Sequence, residues 1–206
     1  MKTKLPQLSR KKISIKVNHW LESIHDNVFP NNYLDLDKLI SYLKKHHKLN
    51  YIEAPLGGHG DHKILGLMDA QKNSIYIETQ LDNHQEMKRF TQAHEIAHWV
   101  LHRQVDLKDY NLEDTHHTLN QARKLTTTYD WVEWQANTFA AYLLIPEKRF
   151  SNELQKIITL LKIQKDKTLF SPSDWYKIHH SVAHFFQVSK TVAAIYIQQY
   201  IMKSSD

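Results

Sequence analysis

Thr91-Gln92-Ala93-His94-Glu95-Ile96-Ala97-His98-Trp99-Val100 sets two histidines four residues apart, with a glutamate directly after the first. The surroundings are helical in period: Met87, Phe90, Ala93, Ala97 and Leu101 recur at spacings of three and four. Asn83 and Glu86 are spaced for a capping-box-like start, and the helix is expected to run to about His102. Residues four apart on such a helix lie about 40° apart in azimuth and about 6 Å apart along the axis, so both imidazoles reach one ion from one face. Glu95 stands beside them without being a ligand, in place to act as general base toward water at that ion. Three polar side chains on an otherwise apolar helix need partners, and a metal is the simplest one.

His102 extends the row of histidines. On an unbroken helix, however, it lies about 12 Å along the axis from His94, whereas ligand nitrogens must all sit about 2 Å from the ion. No glycine follows His98 to turn the chain back. His102 is therefore assigned a structural or supporting role, and the third ligand is sought elsewhere.

Downstream, Asp130-Trp131-Val132-Glu133-Trp134-Gln135-Ala136-Asn137-Thr138-Phe139-Ala140 reads as a second long helix that stops near Ile145-Pro146. Glu133 is the better candidate for the third ligand, because Ala136 and Ala140 lie on or near the same face and let this helix approach the first closely. Asn137, one turn on, is placed to bond the other ring nitrogen of a ligating histidine and so orient it. The largely polar stretch Gln104 to Thr128 separates the two helices. Its His116 and His117 either approach the site or, as lone histidines usually do, stay solvated; the second is favoured.

Upstream, Lys63 to Asp69 and Ser74 to Glu78, joined through Ala70-Gln71-Lys72-Asn73, read as a β-hairpin. As an edge strand beside the metal it would bind an extended substrate segment by β-augmentation. Gly57, Gly58 and Gly60, three of the four glycines, mark a flexible loop ahead of it. Two short helices precede that loop, one carrying Ile13, Ile15, Val17, Trp20, Leu21 and Ile24, the other carrying Leu36, Leu39, Ile40 and Leu43 behind the N-cap Asp35. After Pro146 come a helix over Glu147 to Lys162, a linker over Lys165 to Asp174, and two helices flanking Gln187-Val188-Ser189.

A length of 206 residues suits one domain, with or without an appended element. Hydrophobic residues at 41% and charged residues at 24% are ordinary globular usage, which argues against wholesale disorder. The absence of cysteine excludes disulfides and thiolate metal sites, so any transition metal must be held by histidine and carboxylate. No stretch approaches the roughly 18 apolar residues of a membrane helix, and Met1 to Lys16 lacks the apolar run of a secretory signal, so a cytoplasmic location is expected. The net charge of +5 suits an acidic partner, but the lysines are spread along the chain as on an ordinary solvated surface.

Phe90 to His102, together with Glu133-x-Gln135-Ala136-Asn137-x-Phe139-Ala140-Ala141-x-Leu143-Leu144-Ile145-Pro146 and the hairpin before them, resembles the ImmA/IrrE-type metallopeptidases, within the gluzincin group of zinc peptidases. Val182-Ala183-His184-Phe185-Phe186-Gln187-Val188-Ser189 resembles the trailing segment of that family, so the likeness spans residues 35 to 200 or so. The resemblance implies an α+β fold, mostly helical, with a small twisted sheet over the metal helix. It implies Zn2+ held by His94, His98 and Glu133, with Glu95 catalytic, and hydrolysis of a peptide bond in a partner protein, typically a DNA-binding repressor or regulator. The long polar stretch between the motifs departs from the family pattern.

The expected division is a metallopeptidase domain over 1–162 and a C-terminal helical segment over 163–206. Ala183, Val188-Ser189 and Thr191-Val192 resemble a helix-turn-helix, yet the spacing is one residue short, and Lys190 to Tyr200 holds one lysine and no arginine. Packing or partner docking is thus the expected role, and direct nucleic-acid binding the less favoured one. Trp175, Tyr176, Phe185, Phe186 and Tyr196 are the aromatic candidates for docking, although helical spacing places most of them in a core. The competing function is a regulator or antitoxin-like binding module with a non-catalytic zinc site. Glu95 favours the peptidase, since a structural site closes all four positions with protein ligands and has no use for a base.

Overall fold

Ser9, Asp35 and Ser171 each accept a backbone N–H from three residues on, and so start helices α1 (Arg10–Glu22), α2 (Leu36–His47) and α6 (Pro172–Phe186). Thr127 and Asp130 cap each other reciprocally at the start of α4 (Thr128–Leu144). The computed structural model describes residues 5–59, 62–105, 113–115, 127–162 and 170–203. The remaining helices are α3 (Gln85–Leu101), α5 (Glu147–Leu160) and α7 (Lys190–Lys203). The strands are β1 (Asn50–Ala54), β2 (Gly58–His59), β3 (His62–Asp69), β4 (Ser74–Glu78) and β5 (Glu113–Thr115). The fold is α+β, as the resemblance implied.

The capping box expected at Asn83 and Glu86 does not form. A 3-10 turn over Thr79–Asn83 takes up Asn83, and α3 starts behind His84, which makes no side-chain cap bond. The cause lies at the end of β4, where Glu78 accepts N–H bonds from Gln80 (2.9 Å) and Leu56 (2.6 Å) and tightens the chain into that turn.

The hairpin of β3 and β4 is present with Asp69 opposite Ser74 and Gly66 opposite Ile77. It is interior rather than an edge: β1 pairs parallel to β4, while β2 and β5 both pair with β3. The expected β-augmentation edge at Lys63 to Asp69 is therefore already occupied by the chain itself. Gly57 adopts φ +78°, the left-handed region that suits glycine, and Gly58 continues directly into β2. This part of the glycine loop is thus a strand-forming corner, and Gly60 lies outside the described residues.

One turn residue ties the sheet to the helices. Asn73, at φ 49°, donates from Nδ2 to the carbonyls of His47 (3.1 Å) and Lys48 (2.8 Å), and its Oδ1 accepts from the Trp99 indole of α3 (2.7 Å). α3 packs under β3 and β4 on one side and against α4 on the other. The contact surfaces are wholly buried: Ile75 and Ile77 from β4, Ala93, Ile96 and Ala97 from α3, and Ala136, Phe139, Ala140 and Leu143 from α4.

The C-terminal helices belong to the same core, with Ile178, Phe186, Ala193 and Ile197 fully buried and the Phe150 ring of α5 against those of Tyr196 and Tyr200. Of the five aromatic docking candidates, Phe186 and Tyr196 are core residues, Trp175 and Phe185 are partly buried, and Tyr176 stays exposed. Among the described residues no helix is long and apolar enough to cross a membrane.

Candidate metal centre

His94, Glu95 and His98 on α3 and His102, which caps its C-terminus, are each no more than 2% exposed. One helical turn brings the Nε2 atoms of His94 and His98 to 2.9 Å from each other. Glu133 enters from α4, with Oε2 3.3 Å from His94 Nε2 and Oε1 3.4 Å from His98 Nε2. The small side chains of Ala136 and Ala140 let the two helices approach, as the sequence suggested. His94, His98 and Glu133 form the group able to hold a metal ion among the described residues, each offering one ligand atom within 4.8 Å of the others.

The donor set fits a divalent cation. Asn137 Oδ1, an acceptor, stands 3.0 Å from His94 Nδ1, so the ring proton sits there and Nε2 presents a lone pair. Lone pairs and a carboxylate converging at such distances repel unless a cation lies between them. Tetrahedral ligands at about 2.0–2.1 Å from zinc stand about 3.3 Å apart, close to the separations found. Burial pushes the Glu133 carboxyl upward, but His98 and His94, where they carry a proton, outweigh it and hold Glu133 well below the usual carboxylate range; a bound cation would supply that positive charge in the proton's place. The third ligand candidate is thus ionised and ready.

His102 does not join this group. Its Nδ1 lies 3.1 Å from His98 Nδ1, and its Nε2 lies 3.3 Å from Gln135 Oε1. Burial first, then the neighbouring His98, pushes the His102 imidazole down to about 3, so the ring is neutral. Its place is beside the ligand group, against His98 and Gln135, and not within it. His116 and His117 lie outside the described residues.

Two residues of the site were given no role from the sequence. Gly66, the fourth glycine, sits on β3 where a Cβ would come within 2.6 Å of Glu95 Oε1 and 2.8 Å of Glu95 Cγ and Thr91 Cγ2. An isolated glycine inside a strand pattern is itself a signal of close approach, and that signal was available in Ile64-Leu65-Gly66-Leu67. Gln135, fully buried on α4, is the other. Gly66→Ala is expected to displace Glu95 and to cost about 1–3 kcal/mol through overpacking, a fall in Tm of roughly 2–12 °C for a chain of this size. Thermal melts of the metal-free proteins check this; an unchanged Tm would show that the strand yields freely.

The profile of the IrrE N-terminal-like domain, peptidase family M78, matches residues 45–197, from within α2 into α7. The chain belongs to this metallopeptidase family. A comparison with curated proteins gave no significant match.

Proposed function

We propose that the protein is a cytoplasmic, zinc-dependent endopeptidase of the gluzincin type, acting on one or a few partner proteins, among them a DNA-binding repressor or regulator. The observation that carries this reading is the convergence of His94 Nε2, His98 Nε2 and the Glu133 carboxylate beside a second buried carboxylate, Glu95. A zinc ion bound there supplies a Lewis acid that polarises the scissile carbonyl and makes water more acidic. Glu95 takes the proton of the attacking water and returns it to the departing amine. Asn137 holds the His94 ring in its ligating orientation, and Gly66 leaves the space in which the Glu95 carboxylate lies. A site with three protein ligands and a base suits catalysis, whereas a structural site closes its fourth position. The choice of a DNA-binding regulator rests on the likeness of the motifs to ImmA/IrrE-type enzymes.

The test is incubation of the zinc-loaded protein with the product of the neighbouring gene, as a candidate regulator substrate, and, separately, with unfolded casein. One discrete cut in the regulator, abolished by a chelator, is the expected result. Efficient digestion of casein would overturn the narrow substrate range, and failure to bind about one zinc per chain would overturn the metallopeptidase reading.

A further inference from the structure

We infer that His102, Gln135 and the Pro6 carbonyl form a chain of hydrogen bonds that sets the tautomer of His98, fixing a proton on Nδ1 and so leaving Nε2 as the ring nitrogen that ligates the metal. This rests on the metal reading proposed above. It begins with a group whose role is unambiguous: a backbone carbonyl only accepts. The Gln135 amide nitrogen donates to Pro6 O at 2.8 Å, which orients the side chain and turns Gln135 Oε1 toward His102 Nε2, 3.3 Å away. An amide oxygen also only accepts, so the His102 proton sits on Nε2. Its Nδ1 is then an acceptor, and the atom 3.1 Å from it is His98 Nδ1. The His98 proton therefore sits on Nδ1, and Nε2, which faces His94 and Glu133, carries the lone pair.

Reversing the direction fails at one end. If His102 donated from Nδ1 to His98, its neutral ring would turn a lone pair on Nε2 toward the Gln135 oxygen, and flipping the amide to relieve this would set that oxygen against the Pro6 carbonyl. The links nearest the metal are buried, with His98 2% exposed, His102 1% and Gln135 0%, while Pro6 is an exposed residue whose bond to Gln135 is partly buried. An unmatched pair of acceptors there is expensive. His102 and Gln135 are thus positioning residues, acting on the metal through His98. The chain also links the segment before α1 to the centre, since Pro6 and Gln135 are 129 residues apart in sequence.

Histidine-selective 15N labelling and long-range 1H–15N correlation spectra of the wild-type protein read the tautomers directly, without any substitution, for His102 in the zinc-loaded protein and for both rings in the metal-free protein at alkaline pH, where the imidazoles are neutral. His98 is expected as the Nδ1–H form and His102 as the Nε2–H form; His102 in the Nδ1–H form would overturn the inference. Zinc affinity, measured by chelator competition, is expected to fall roughly 10–100-fold in Gln135→Leu and His102→Leu. His102→Asn, whose amide oxygen can take the place of Nδ1, is expected to restore most of it. Folded Gln135→Leu protein with wild-type tautomers and wild-type affinity would also refute the proposal. Wild-type protein that shows the expected tautomers yet binds no zinc would sustain the hydrogen-bond chain and sink the metallopeptidase reading instead.

Discussion

Glu95→Gln is expected to keep the fold and the bound zinc while lowering peptide-bond cleavage by at least about 10²–10⁴-fold, the usual contribution of a positioned general base. Glutamine matches glutamate in size, which matters because Glu95 is 1% exposed and β3 leaves only the space granted by Gly66. The amide still hydrogen-bonds water but accepts no proton from it. Zinc content and circular dichroism of the variant should therefore match wild type, and kcat/KM on the regulator substrate should carry the whole effect. Undiminished cleavage by zinc-loaded Glu95→Gln would falsify the assignment of Glu95 as base.

Removal of any one of His94, His98 or Glu133 is expected to weaken zinc binding on the order of 10²–10³-fold, since binding free energies of roughly 10–16 kcal/mol are shared among about four ligands. Glu133→Ala is the informative member of the set. His94 and His98 come from adjacent turns of one helix, and Glu133 is the contribution of α4, with one oxygen 3.3 Å from His94 Nε2 and the other 3.4 Å from His98 Nε2. Without it the two imidazoles keep their geometry but lose the only charged partner in the group. Chelator competition on the three alanine variants measures this, and His102→Leu should rank below them in effect. Wild-type affinity in Glu133→Ala would move the third ligand to the segment between α3 and α4.

The parts of the fold written in local pattern were legible in the sequence. The hairpin showed itself through Ile, Leu and Tyr around a polar turn, and α3 and α4 through apolar residues at helical spacing. β1 was not legible, because Asn50-Tyr51-Ile52-Glu53-Ala54 shows no alternation and becomes a strand only by pairing with β4, some 24 positions on. β5, three residues inside a polar stretch, gave even less to read. The same line divides the site. The convergence of His94, His98 and Glu133 and the bond from His94 to Asn137 follow from helix geometry plus small residues at the crossing. Gly66 matters only because β3 lies against Glu95, and Gln135 only because α4 carries it between His102 and the distant Pro6. Those are facts of approach in three dimensions, which periodicity does not encode.

β3 and β4 carry most of the aliphatic side chains of the sheet and are paired on both sides, so the outer positions fall to β1, β2 and β5, of five, two and three residues. A sheet polymerises by adding foreign chains to unpaired rows of N–H and C=O groups, and long flat apolar rims invite it. Among the described residues the rims are short, and that of β1 carries Glu53 in an ion pair with Lys88 at 2.9 Å. Crowded copies of this protein thus meet little template for fibrous stacking, and the strands most prone to it are sealed inside the fold that holds the metal helix.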